Sequence, residues 1–316
     1  MPEVFPILVP VPSSLKSMNF YLIQSDTSLI LIDAVHNHTQ CWNALNDMLH
    51  NNDLAFNDIT HIVLTHHHAD HVGLVNKIVK KHPIPVYAHP LSIPRIKREP
   101  EFMQMRIEFF ENLYEEMGCG ERGKWQVQKL KEAVISNHSQ RIEGHLHPLT
   151  PGILDHLEVI HIPGHAPDQI ALYDRSQQLL FSGDLLIHHI SSNALVEPDQ
   201  DGKRIRSLSL HLESLKKCLE LPVAILYPGH GPRITNHREL ISKRITGKKR
   251  KAEDFLSLIN AGYSTASGIA KAYYKDRYEK QFSLVMSEVI GHLDYLEEEG
   301  RVKKNLINGI WRYNHL

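Results

Sequence analysis

THHHADHVG occupies residues 65–73, directly after the apolar run HIVL at 61–64. Four β-prone residues bounded by polar ones suit a short buried strand, so the histidines fall in the loop at its end. In such a loop, residues two apart can face the same way. His66 and His68 can then grip one metal ion while Asp70 and His71 face a second. Imidazole and carboxylate at this spacing suit zinc or a similar divalent ion. A solvated histidine-rich loop, or a helix start capped by Asp70, is the plainer alternative.

The rest of the chain argues against the plainer alternative. PGH recurs at 163–165 and 228–230, each time closing an apolar run, LEVIHI and VAILY. FSGD at 181–184 sets Asp184 at the end of QLLF. Seven candidate ligands therefore follow apolar strands: His66, His68, Asp70, His71, His165, Asp184 and His230. Loops at strand ends are where a rigid scaffold can aim several side chains at one point. The chain also holds 23 histidines, an unusual number for 316 residues.

The order HxHxDH, then His, Asp and His resembles the metallo-β-lactamase superfamily over residues 1–235. The resemblance implies an α+β fold, a four-layer αββα sandwich, with two divalent metal ions. Zinc is expected, with iron or manganese as substitutes. It implies that His66, His68 and His165 hold one ion, that Asp70, His71 and His230 hold the other, and that Asp184 bridges them. Asp33, in LILIDA, matches a conserved motif of that family and would orient the ligand loop by hydrogen bonds. Two ions about 3.5–4 Å apart bring the pKa of a bridging water near 7, which supplies hydroxide without a Ser or Cys nucleophile. Asp70 and Asp184 are thus the expected catalytic carboxylates, Asp70 handling a proton.

Composition excludes other classes. Lys+Arg 35 against Asp+Glu 36 leaves a net charge of -1, too little for a whole-chain clamp on nucleic acid. Three distant cysteines, Cys41, Cys119 and Cys218, give no disulfide framework, so a cytoplasmic protein is expected. No run approaches the roughly 18 apolar residues of a membrane span. The first residues, MPEVFPILVPVPSSLK, lack a basic export signal and read as an entering strand. No G-x-S-x-G elbow or phosphate-binding loop is present.

Strand-like and helical runs alternate through 1–90, and a helical insertion is expected over about 91–150. Strands return from 157, and a helix is expected at 207–220. Residues 236–316 read as helices closed by a hairpin at Asn308-Gly309, the pattern of a winged helix. That module holds 15 Lys+Arg and 10 Asp+Glu, a balance of +5 against -6 for the rest.

Asp184 and the missing export signal argue against a true β-lactamase. The 46 positions from Asp184 to His230 leave no room for the extra domain of the large nucleases. The tail resembles the lactamase-beta-2-like branch, and the whole resembles the glyoxalase II group. The expected reaction is hydrolysis of an ester or thioester in a small acyl substrate. Single-strand endoribonuclease action by the same centre is the alternative; a winged-helix regulator with an inert metal site ranks below it. The tail's basic residues, KKRK at 248–251 with Arg301, Lys303 and Lys304, could bind nucleic acid, but packing on the body is favoured. A homodimer stays open, and no membrane partner is expected. His188 and His189 stand close enough to Asp184 to line a substrate pocket, and the insertion is expected to wall or cover the metals.

Overall fold

Residues 17–23 of SMNFYLIQ are buried without a break, although a strand shows alternate side chains to opposite faces. Both faces of this strand must therefore be covered. The computed structural model, which describes residues 2–316, shows how. Strands β1 (Glu3–Pro10), β2 (Ser17–Gln24), β3 (Leu29–Ile32), β4 (His61–Leu64), β5 (Val86–Ala88) and β6 (Leu146–Pro148) form one sheet in that order. β7 (Gly152–Leu154), β8 (Leu157–His161), β9 (Ile170–Asp174), β10 (Leu179–Gly183) and β11 (Ile225–Pro228) form the second. A hairpin of β12 (Val302–Ile307) and β13 (Ile310–His315) ends the chain.

The helices are α1 (Thr39–Asn51), α2 (Ala69–Val72), α3 (Val75–Lys81), α4 (Ile93–Ile96), α5 (Pro100–Glu116), α6 (Gly120–Ser136), α7 (Ser207–Glu220), α8 (His237–Asn260), α9 (Ala266–Tyr274), α10 (Asp276–Lys280) and α11 (Phe282–Glu298). Alternation along the strands sorts side chains between two cores. Phe20, Leu22 and Leu31 face outward under α1 and α3. Tyr21, Ile23, Ile30 and Ile32 face inward and meet Val159, Leu172, Phe181 and Tyr227 of the second sheet. The outer face of that sheet is covered by Leu215 and Cys218 of α7 and Leu240 and Ile241 of α8. The expected four-layer αββα sandwich is thus present.

β3, β4 and β5 run parallel, as do β10 and β11, while β8 is antiparallel to β9 and β9 to β10. β8, β10 and β11 therefore share a direction. The loops after β4, β8, β10 and β11 open at one edge of the sandwich, and these loops carry the candidate ligands.

Two expectations change. The insertion ends before residue 146, because Leu146–Pro148 is the sixth strand of the first sheet. Nor does its helical pair cover the metal-binding edge. Phe110, Leu113 and Tyr114 of α5 share a core with Phe255 of α8, Phe282 and Met286 of α11, and Tyr313 of β13. The apolar stripe of α5 was needed to cover the C-terminal helices. The insertion reaches the edge through its first turns and through Ser139 and Gln140 near its end. The helix–hairpin module packs on the body: Arg204 and Arg206 meet buried Asp294 at 2.8 and 2.7 Å. Three of its basic residues form ion pairs within the module, Lys251 with Glu288, Arg301 with Glu253 and Lys304 with Glu297. Among the described residues no helix is long and apolar enough to cross a membrane.

Candidate metal centre

All seven candidate ligands converge. His66, His68 and His165 present ring nitrogens within 4.8 Å of one another, and so do the donor atoms of Asp70, His71 and His230. His66, His71 and Asp184 make a third such group between them. His68 Nδ1 lies 2.9 Å from His66 Nε2 and 3.0 Å from His165 Nε2. Asp184 faces both trios. Its Oδ2 is 3.5 Å from His165 Nε2 and 3.3 Å from His230 Nε2, and its Oδ1 is 3.5 Å from His71 Nε2. For metal–nitrogen bonds of about 2.0–2.1 Å, the edge of a coordination tetrahedron is about 3.3–3.4 Å. The observed spacings bracket that edge.

Neighbours fix which nitrogen of each ring faces inward. His71 Nδ1 donates to Asp33 at 2.7 Å, His230 Nδ1 to the Ser17 carbonyl at 2.8 Å, and His165 Nδ1 to the Asn193 carbonyl at 3.0 Å. His66 Nδ1 is 3.1 Å from the Thr65 hydroxyl, which itself donates to Asp33 at 2.8 Å. Each of these rings is left with its Nε2 turned to the centre. Asp33 thereby orients one histidine of each trio. It holds φ +61 and also receives the Thr65 amide at 2.7 Å.

Both PGH segments need their glycine for close approach, and a Cβ on Gly164 would stand 2.4 Å from His211 Cα. Gly229 is required by close approach: a Cβ there would stand 2.2 Å from Asp184 Oδ1 and 2.7 Å from His71 Cε1. The loop around it is tied to β2, where Asn19 Nδ2 donates to the Pro228 and Gly231 carbonyls and the Tyr21 hydroxyl donates to Pro228 at 2.6 Å. These bonds set the position of His230.

Burial and mutual repulsion hold the His66 and His68 rings well below the ordinary histidine pKa, and burial lowers His165 as well. The first trio is therefore neutral at pH 7. In the second, burial opposes the charge of His71, yet Asp33 and Asp184 overcome it and raise the ring well above its ordinary value. His230 likewise resists burial through Asp184 and Asp70 and reaches about 9. Asp184 stays ionised because His71 and His230 outweigh its burial.

The donor set fits divalent metal. His71 Nε2, His230 Nε2 and Asp184 Oδ1 are buried without hydrogen-bond partners, and all three point into the shared space. Unpartnered buried polar atoms are costly, and a cation among them removes the cost. Five imidazoles and two carboxylates, with no thiolate, suit first-row divalent ions.

His188 and His189 are not among these donor groups. His188 is exposed, and His189 Nε2 bonds the Ser14 carbonyl at 2.7 Å with its ring against Gly231. Sequence reasoning expected His67, between two ligands, to point away, and missed Asp168, Ser92 and Gln169. His67 turns away from the ligand space and bonds buried Asp168 at 2.6 Å, which also accepts from Ser92 at 2.5 Å. Gln169 accepts the Asp184 amide at 3.1 Å. Asp168 and Gln169 follow three and four residues after His165, and they brace the two loops on either side. Beside them opens a cavity of about 470 Å³ lined by His36, His38, His67, Ala69, Arg95 and Arg98.

A sandwich with such an edge of imidazole and carboxylate donors is a metallo-hydrolase scaffold. The family model for the metallo-beta-lactamase superfamily matches residues 16–230, and the chain belongs to that superfamily. It is similar to the probable metallo-hydrolase YqjP of Bacillus subtilis, 34% identical over 94% of this chain and 93% of that protein. It is also similar to an atrochrysone carboxyl ACP thioesterase of Aspergillus novofumigatus, 22% identical over 84% of this chain and 66% of that one. Among solved structures, a metallo-beta-lactamase family protein from Thermus thermophilus superposes with a TM-score of 0.79 at 28% identity, covering 99% of this chain and 98% of that one.

Proposed function

We propose that this chain is a cytoplasmic metal-dependent hydrolase of activated acyl bonds, with a small-molecule thioester as substrate and zinc as its metal. The observation that carries the reading is Asp184, whose two oxygens stand between a neutral imidazole trio and a second trio of Asp70, His71 and His230. His66, His68 and His165 would hold one ion, and Asp70, His71 and His230 the other, with Asp184 shared. Two divalent ions there supply an activated water at neutral pH and polarisation of the acyl carbonyl. Asp33 keeps His71 and, through Thr65, His66 aimed inward. Asp70 lies 3.3 Å from His230 and is the more open of the two carboxylates, with 23% of its side chain exposed against 7% for Asp184. It can take a proton from the attacking water and return one to the leaving group. The cysteines offer no competing nucleophile: all three are buried, and burial pushes Cys119 and Cys218 up to about 12. A thiolate leaves without much proton assistance, which matches a site whose one open acid–base group is a carboxylate. The distant ACP thioesterase relative supports the same bond class.

The test is turnover of a panel of acyl thioesters and aryl esters beside a short single-stranded RNA, with His68→Ala protein as the blank. Thioester hydrolysis lost in that variant is expected. RNA cleavage alone, equally lost, would replace the acyl reading with the nuclease one.

A further inference from the structure

The middle of α8 reads SKRITGKKRK, residues 242–251, and faces an open cavity of about 550 Å³. Its walls carry Lys243, Arg244, Lys248, Arg250 and Lys251 against one carboxylate, Glu288. Glu288 is already engaged by Lys251 at 2.5 Å and by the Tyr274 hydroxyl at 2.7 Å. The cavity therefore holds uncompensated positive charge. Lys248 is only 6% exposed, and its single bond is to the Ser192 carbonyl at 3.0 Å. Burial, with Lys251 and Arg244 nearby, brings it down to about 8. Arg244 donates to the Ile187 and His188 carbonyls, but its Nε is buried without a partner. A fold assembled only for stability gains nothing from gathering like charges around a buried lysine.

Gly247 lies at the centre of the same surface. A mid-helix glycine costs roughly 0.5–1 kcal/mol relative to alanine. Here a Cβ would meet nothing within 4 Å, so packing does not demand the glycine. It leaves the cavity floor bare, and the hydroxyls of Ser191, Ser242 and Thr246 line the same cavity. Cations and hydroxyls around bare backbone make an anion cradle.

The cavity backs onto the metal centre. The Ser192 carbonyl accepts from Lys248, while the Ser192 hydroxyl lies 3.0 Å from His165 Nδ1. We propose that this face of α8 binds a phosphate-class anion and that, in turnover, the anion is a phosphate on the thiol half of the thioester. The second clause rests on the acyl reading above; the first does not.

Two measurements on the metal-loaded protein test it. The first is calorimetric titration with inorganic phosphate and with coenzyme A, which needs no turnover. The second is the kcat/KM ratio for an acyl-coenzyme A over the matching acyl-pantetheine, which lacks phosphate. Lys243→Ala/Arg250→Ala removes two exposed cations at the rim, Gly247→Ala fills the floor, and Lys124→Ala on α6 is the charge control. Coenzyme A affinity and the ratio should each fall about tenfold or more in the rim variant, through KM, as expected for lost charged hydrogen bonds. Gly247→Ala should raise the melting temperature yet weaken coenzyme A binding, a pairing that a purely structural glycine would not show. Unchanged affinity and ratio in both variants would overturn the site. Loss of binding to a phosphate-free acidic carrier protein, with coenzyme A unaffected, would overturn it in favour of protein docking. Coenzyme A binding that depends on the rim, without hydrolysis of any thioester, would keep the anion site and overturn the acyl reading.

Discussion

The two halves of the metal centre are built from the same residue types and prepared in opposite ways. Around His66, His68 and His165 burial and mutual repulsion keep the rings neutral. Around His71 and His230 the carboxylates of Asp33, Asp184 and Asp70 outweigh burial and hold protons on the rings. The first half is a ready set of lone pairs. The second is, without metal, a buried ion-pair cluster that must release protons to bind a cation. Metal loading is therefore expected to be ordered, the first half filling ahead of the second as pH falls below about 9.

Removing the shared group should erase the distinction. Asp184→Ala is expected to lower metal content in both halves and to cut hydrolysis by about 10³-fold or more, since metal ions supply several kcal/mol of charge stabilisation. Metal analysis with full activity retained would break the bridged arrangement. Single-ligand variants should separate the halves. His230→Ala should leave close to one ion per chain, bound with little pH dependence near neutrality, whereas His68→Ala should leave the pH-dependent ion. Equal pH dependence in the two variants would remove the contrast.

Asp33→Asn comes next. It keeps the size of the side chain but weakens the acceptor that orients His71 and Thr65, and metal affinity or activity should fall about 10–100-fold. The metal-free protein offers a further check. The raised pKa values of His71 and His230 contribute stability that is complete below about pH 6.5, the ordinary histidine value, and drains away as pH rises towards the value near 9 held by His230. Its melting temperature should fall over that interval, and His230→Gln should flatten the slope. The smallest effect is expected at Asp168→Asn. It loosens the brace among His67, Ser92 and the loop of His165 without touching a ligand, so activity should drop about threefold to tenfold while metal content holds.

The centre was more legible in the sequence than its supports. HxHxDH and the two PGH segments could be placed because each follows an apolar strand, and strands buried on both faces read as unbroken apolar runs. A helix with one packed stripe was equally plain: α7 falls at 207–220 as expected. β6 and β7 escaped notice because LHP and GIL are three residues each, too short to carry a period. Asp168 and His67 stand 101 positions apart, and no local pattern links such a pair. The insertion's helical character was recognisable in the sequence. What the insertion packs against depends on the tertiary path of a segment more than a hundred residues downstream.

α8 belongs to two cores at once, with Leu240 and Ile241 under the second sheet and Phe255 and Leu256 among the C-terminal helices. Its 24 residues extend about 36 Å, the breadth of a small domain. Such a helix acts as a strut. Arg244 and Lys248 grip the loop of Ile187, His188 and Ser192 along its length. Force applied to the terminal hairpin would be carried along this strut to the loop beside His165. The chain should therefore unfold in a single cooperative step, and cutting it within α8 should take the metal centre down along with the tail.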